Sequence, residues 1–244
     1  MFRRMARSLI AFVMVASGMV IGVSATAGTA HADECYTWSR PLSQGASGND
    51  VTQLQIRVAG WVTSGERLSY DGQFGARTTA AVKKFQSAYG LAADGVAGEA
   101  TFSKLYALQD ADCTPIHFSY AELNRCNSDW SGGAVSAATA KANALKTMWK
   151  LEAMRHALGD VPLTVSSGFR SRACNSAVGG SSTSRHLYGD AADLTGSPTL
   201  CRLAQQARTH GFSEILGPGY PGHDDHTHVA LDPSPYWSAP TCGV

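Results

Sequence analysis

Apolar residues recur at helical spacing three times in the first half of the chain. Val51, Leu54 and Val58 share one face of a segment ending at Gly60; Val82, Phe85 and Tyr89 do so before Gly90; Phe102, Leu105 and Leu108 supply a third stripe. Spacing of three and four residues predicts short amphipathic helices around one small core, and Gly90 is placed as a left-handed C-cap. Between the stripes runs a repeat: Asp71-Gly72-x-x-Gly75-x-x-Thr78 returns twenty-three residues later as Asp94-Gly95-x-x-Gly98-x-x-Thr101. Each copy reads as a glycine turn ending where a helix begins, with Thr78 and Thr101 near the helix starts.

After Cys113-Thr-Pro115 the pattern changes. Residues 136–158 predict one long helix that turns Ala138, Ala142, Leu145, Met148, Leu151 and Met154 towards a core. "LTVSSGFR", Leu163 to Arg170, predicts a strand running into a loop. Ser197-Pro198 supplies an N-cap and a first-turn proline for a helix through Leu200, Leu203, Ala204 and Ala207, closed by Gly211. "FSEIL" and "HTHVAL" predict further strands. Helices segregated against a small antiparallel sheet make this part an α+β domain.

Composition changes the picture at the N-terminus. Arg3, Arg4 and Arg7 precede an apolar run from Leu9 to Val23 and then Ala30-His31-Ala32, the form of a secretory signal peptide over residues 1–32. The run is shorter than the ~20 residues that span a bilayer. Its removal takes away three arginines and no acid, so the formal charge passes from +1 to −2. With no basic run left, nucleic acid and anionic membranes are excluded as expected partners. All six cysteines lie in the exported part, an even number in an oxidising compartment, which favours disulfides.

The candidate chemistry lies in two short runs, "GDAADL" (189–194) and "HDDHTH" (223–228). In a strand Asp193 shares a face with Ala191, and His226 shares one with His228. A carboxylate among small apolar residues is costly to bury without a counter-charge, and His186 and His228 can bring imidazoles to the same ion. Two histidines and one carboxylate leave a tetrahedral zinc one open position, the arrangement of a catalytic site, where bound water reaches a pKa of roughly 7. The ligand types also suit a non-haem iron, although an exported, disulfide-bonded protein favours a redox-inert metal. Plainer readings pair Asp193 with Arg185 or Arg202 and leave "HDDHTH" a solvated turn; Asp190 is expected to be solvated. His156 and His210, near helix ends, are expected to bond terminal carbonyls.

Two resemblances sharpen this. The run "DGQFGARTTAAVKKFQSAYGLAADGVAGEATFSKL" resembles the peptidoglycan-binding domain of bacterial cell-wall hydrolases. Ser184-x-His186-x-x-Gly189-x-Ala191-x-Asp193, the downstream Asp225-His226-x-His228 and "SSGFRS" around Arg170 resemble the zinc D-alanyl-D-alanine carboxypeptidases. The resemblance implies a signal peptide (1–32), a three-helix peptidoglycan-binding domain (33–113) and a catalytic domain (114–244) of the fold shared with lysostaphin-type peptidases and hedgehog domains.

By that resemblance His186, Asp193 and His228 hold one catalytic zinc ion, and Asp225 is the general base, although it falls where related dipeptidases carry a glutamate. Arg170 polarises the scissile carbonyl or holds its oxyanion, while His226 and His223 act as hydrogen-bond donors beside the site. Asp225 would face away from His226 and His228 in a regular strand, so a loop or bulge is expected there. The implied protein is a secreted monomer without a membrane anchor, acting at the cell wall on D-Ala-D-Ala stem peptides of peptidoglycan and extending to crosslinks. Its rivals are a non-catalytic wall-binding protein with a structural zinc and a zinc endolysin that cuts an L-to-D bond. The resemblance also implies the disulfides Cys35–Cys113, Cys126–Cys174 and Cys201–Cys242.

Overall fold

The repeat is organised by two buried glutamines. In a computed structural model, which describes residues 35–126 and 129–244, the three predicted stripes fall on helices α1 (Asn49–Val58), α2 (Ala76–Ala88) and α3 (Glu99–Ala107). Gln55 of α1 directs its side-chain nitrogen at Asp71 Oδ1 (2.9 Å), Gln73 O (3.0 Å) and Thr78 Oγ1 (3.2 Å), while its oxygen accepts from Gly72 N (3.0 Å). Gln86 of α2 repeats this with Asp94 (2.9 Å), Val96 O (3.0 Å), Thr101 (3.1 Å) and Gly95 N (2.9 Å). Each Asp, first Gly and Thr of the motif therefore serves one amide of the preceding helix. Gly72 and Gly95 sit at φ +70° and +81°, a region that side chains disfavour. The predicted leader, 1–32, lies outside the described residues.

After a short α4 (Tyr120–Leu123), whose Ser119 and Glu122 form a capping box, comes the long α5 (Ala137–Ala157). Its register differs from the predicted one: Ala138 and Ala142 are exposed, and Ala140, Ala144, Met148, Leu151 and Met154 form the buried row. A second face carries Trp149 and Ala153 into the core of the three small helices, beside Leu54, Trp61 and Phe85. One helix serves two cores, so its C-terminal half is buried nearly all round and no single stripe describes it. Gly60 permits this contact: a Cβ there would stand 2.5 Å from the Ala153 methyl group. Residues 32–244 accordingly form one compact unit.

The remaining elements are β1 (Thr164–Ser167), α6 (Arg172–Ala177), β2 (Ala191–Thr195), α7 (Leu200–Thr209), β3 (Glu214–Leu216), β4 (Thr227–Ala230) and β5 (Tyr236–Ser238). The strand order is β1-β2-β4-β3-β5; the first three pairings are antiparallel and the edge pair β3–β5 is parallel. Helix α7 starts later than predicted, because Thr199 and not Ser197 is the cap: its side chain accepts from Arg202 N. Alternation sends Val165, Ala192, Leu194, Ile215 and Val229 into the core beneath α5 and α7 and leaves Asp193 and His228, direct partners across β2 and β4, on the other face. Disulfides join Cys35 to Cys113, Cys126 to Cys174 and Cys201 to Cys242.

Candidate metal centre and active site

Three buried side chains from three elements converge on one point. His186 comes from a 3-10 turn (Arg185–Tyr188) that ends at Gly189 in the left-handed region, Asp193 from the middle of β2 and His228 from β4. His186 Nε2 lies 3.1 Å from Asp193 Oδ1 and 3.1 Å from His228 Nδ1, and the latter lies 2.9 Å from Asp193 Oδ1. Ligands about 2.0–2.1 Å from a tetrahedral metal are roughly 3.3 Å apart, close to these separations. Two ring nitrogens and a carboxylate oxygen packed together with little water call for a cation between them. The donor set therefore fits zinc.

The outer nitrogens of both rings are fixed. His186 Nδ1 donates to Gly168 O at 2.6 Å, and His228 Nε2 donates to Glu214 Oε1 at 2.9 Å, which sets the tautomers that aim the other nitrogens inward. Arg170 Nη2 donates to the outer oxygen of Asp193 at 2.7 Å and its Nε to Ser167 Oγ at 3.0 Å.

These contacts set the local proton affinities. Burial pushes the Asp193 carboxyl up, but the adjoining His186 and His228 imidazoles hold it far below the usual carboxylate range. Burial disfavours charge on His228, yet its bonds to Asp193 and Glu214 carry it up to about 9. His186, where burial dominates, is pushed down. Glu214, which burial would raise, is held low by its bond from His228.

The predicted catalytic residues are placed unequally. His226 stands just before β4 with Nε2 3.7 Å from Asp193 Oδ1. Asp225 precedes the strand, its side chain 89% exposed, and accepts from His226 Nδ1 at 2.7 Å; His226 stands between it and the three donors. That bond lowers the Asp225 pKa. The His223 ring lies 4.7 Å from that of His226 and 6.0 Å from that of His228, and burial lowers its pKa. Asp224 closes the preceding loop by accepting from Gly219 N at 2.8 Å.

Asp190 differs from expectation: it is buried and paired with Arg185, which therefore does not pair with Asp193. Glu214 belongs to none of the motifs that mark the other site residues; its only mark in the sequence is that it is a lone acid in the apolar run "FSEIL". His156 and His210 bond the carbonyls of Ala88 (3.1 Å) and Gln206 (2.8 Å).

The Peptidase M15 pattern matches residues 116–230 and a peptidoglycan binding domain pattern residues 47–105. The chain is 68% identical over 222 residues to the zinc D-Ala-D-Ala carboxypeptidase of Streptomyces albus G, covering 91% of this chain and 87% of that protein. It belongs to the Peptidase M15 family. An uncharacterised protein encoded in the bpoA1 3' region of Kitasatospora aureofaciens is 37% identical over 107 residues, 41% of this chain and 86% of the relative. In this M15 peptidase both matched patterns lie within the unit of residues 32–244 that α5 holds together.

Proposed function

We propose that the chain is a zinc carboxypeptidase that removes the terminal D-alanine from peptidoglycan stem peptides ending in D-Ala-D-Ala. The convergence of His186, Asp193 and His228, with Arg170 and His226 against the same carboxylate, carries this reading. Those three residues hold the ion. Zinc, when bound, supplies a Lewis acid and a water acidic enough to react near neutral pH.

His226, beside the donor set, takes a proton from the attacking water and returns it to the leaving amine. Asp225 fixes the His226 tautomer and supports its positive charge, so its part in base catalysis is exercised through the ring. Arg170 is held by Asp193 and Ser167 and has an Nη1 without a partner among the described residues; its permanent charge serves the developing oxyanion. His223 donates from Nδ1 to Pro221 O at 3.0 Å, so its other nitrogen, in the neutral ring, meets substrate as an acceptor, where the sequence had suggested a donor. A structural zinc would need neither the Asp225–His226 pair nor Arg170.

Residues 33–113 hold the enzyme on the insoluble wall and raise the local concentration of stems, and residues 114–244 carry the chemistry. Residues 1–32 direct export and are removed in the process, and the mature protein acts outside the cell as a monomer. Because crosslinks contain a D-alanine bond, they are a second substrate.

The test is incubation of the zinc-loaded protein with an acylated peptide ending in D-Ala-D-Ala. Release of D-alanine that stops on chelation and returns with zinc is expected. Release that persists after complete metal removal, or its absence from the loaded protein, overturns the proposal.

A further inference from the structure

A pocket of about 290 Å³ opens where the small-helix part meets the sheet part, its walls including Arg67, Tyr70, Arg77, Lys150, Ser213 and Leu231. Three of these are cations, and no acid lines the pocket. None belongs to the metal centre, and Leu231 lies three residues, about 10 Å of extended strand, beyond His228.

Two of its groups lack what burial demands. Lys150 is 1% exposed; its Nζ donates to Gly211 O at 2.6 Å and has no carboxylate partner among the described residues. The Tyr70 hydroxyl is buried with no hydrogen-bond partner. A buried ammonium without a counter-charge and a buried hydroxyl without an acceptor are both unfavourable, and polar groups left in this state call for an explanation. Burial, then the charge of Arg67, pushes Lys150 down to about 7, and burial pushes Tyr70 above the usual phenol range, so it remains a donor. Arg77 is exposed and has no ion-pair partner among the described residues.

We propose that this pocket is a second ligand site, independent of the metal, that binds a compact oxyanion, either a carboxylate or a phosphate group. Lys150 and Tyr70 supply short hydrogen bonds from the floor, and Arg67 and Arg77 supply charge at the mouth. The anion provides the counter-charge that Lys150 lacks and the acceptor that Tyr70 lacks. Peptide carboxylates and phosphate, free or in a polymer, share this chemistry.

The zinc-loaded full chain, labelled at lysine, allows the Lys150 side-chain signal to be followed by NMR while inorganic phosphate or glutarate is added. A saturable shift at millimolar concentration is expected with at least one probe. The Lys150 midpoint should rise by about one pH unit, a tenfold preference for the charged form. A response to phosphate alone assigns the site to phosphate, and a response to glutarate alone assigns it to peptide carboxylates. Tyr70→Phe should weaken binding about tenfold and Arg77→Ala about threefold; the first removes one buried atom and the second alters an exposed side chain, so both variants fold. Lys150 unmoved by either probe, or binding unchanged in both variants, overturns the proposal. Because the signal is that of Lys150, anion bound at the zinc does not mimic the result.

Discussion

His228 donates from Nε2 to Glu214 at 2.9 Å and thereby turns Nδ1 towards Asp193. Glu214 lies on the neighbouring strand, diagonal to His228 in the β3–β4 register. Removing such an outer partner usually lowers metal affinity by about 10- to 100-fold. Glu214→Ala should do so with the fold intact, measured by competition against a chromophoric chelator. Unchanged affinity would take Glu214 out of the centre.

Arg170 and Asp193 make the second testable contact. Arg170→Ala should retain one zinc per chain when the metal is in excess but lose about 10²- to 10³-fold in turnover, the usual consequence of losing one donor to a developing oxyanion. Arg170→Lys should recover little, because an ammonium cannot hold Asp193 and Ser167 in the planar fork that a guanidinium offers. Zinc content and steady-state rates, measured together, separate this from simple metal loss.

The placement of Asp225 behind His226 predicts an order. His226→Ala should lower turnover by about 10²- to 10⁴-fold, Asp225→Ala by less, and the double variant should resemble His226→Ala alone, since residues acting in series are not additive. A larger loss for Asp225→Ala would return the base role to the carboxylate itself.

Lys150 gives a dependence on pH. Burial and Arg67 lower it from 10.5 to about 7. Between those values the unfolded chain holds a proton that the folded chain lacks, so stability rises with pH across that window, by at most about 1.4 kcal/mol per pH unit. Below pH 7 the lysine is charged in both states and the full penalty stands. In buffers free of phosphate and carboxylate, Lys150→Met should therefore raise the Tm most at pH 6, with the gain shrinking towards pH 10. A constant gain would mean that Lys150 titrates like an exposed amine.

Much of this was legible in the chain. Strand alternation put Asp193 on a face apart from Ala192 and Leu194, and "HTHVAL" placed His228 in a strand, where β4 holds it. What escaped shares one physical cause, dependence on side-chain contacts that only the folded chain makes. Trp149 and Ala153 read as interruptions of a stripe until a second core covers them. Asp190 reads as solvated until Arg185, five residues back, folds over it. Gln55 and Gln86 carry no sign that each will satisfy a turn further along the chain, although the repeat of Asp, Gly and Thr records the result. Glu214 needed the register of β3 on β4 before it could be seen behind His228.

Helix α5 has a mechanical consequence. With Met148 and Leu151 seated in one core and Trp149 and Ala153 in the other, the part that resembles a wall anchor and the part that bears the metal ligands share a spine, with no free linker between them among the described residues. A molecule adsorbed through the first part would carry its cutting point at a fixed radius and fixed tilt. Fresh bonds would then come within reach only when the whole body lets go and lands again, so the spacing of its cuts would be set by the shape of the molecule.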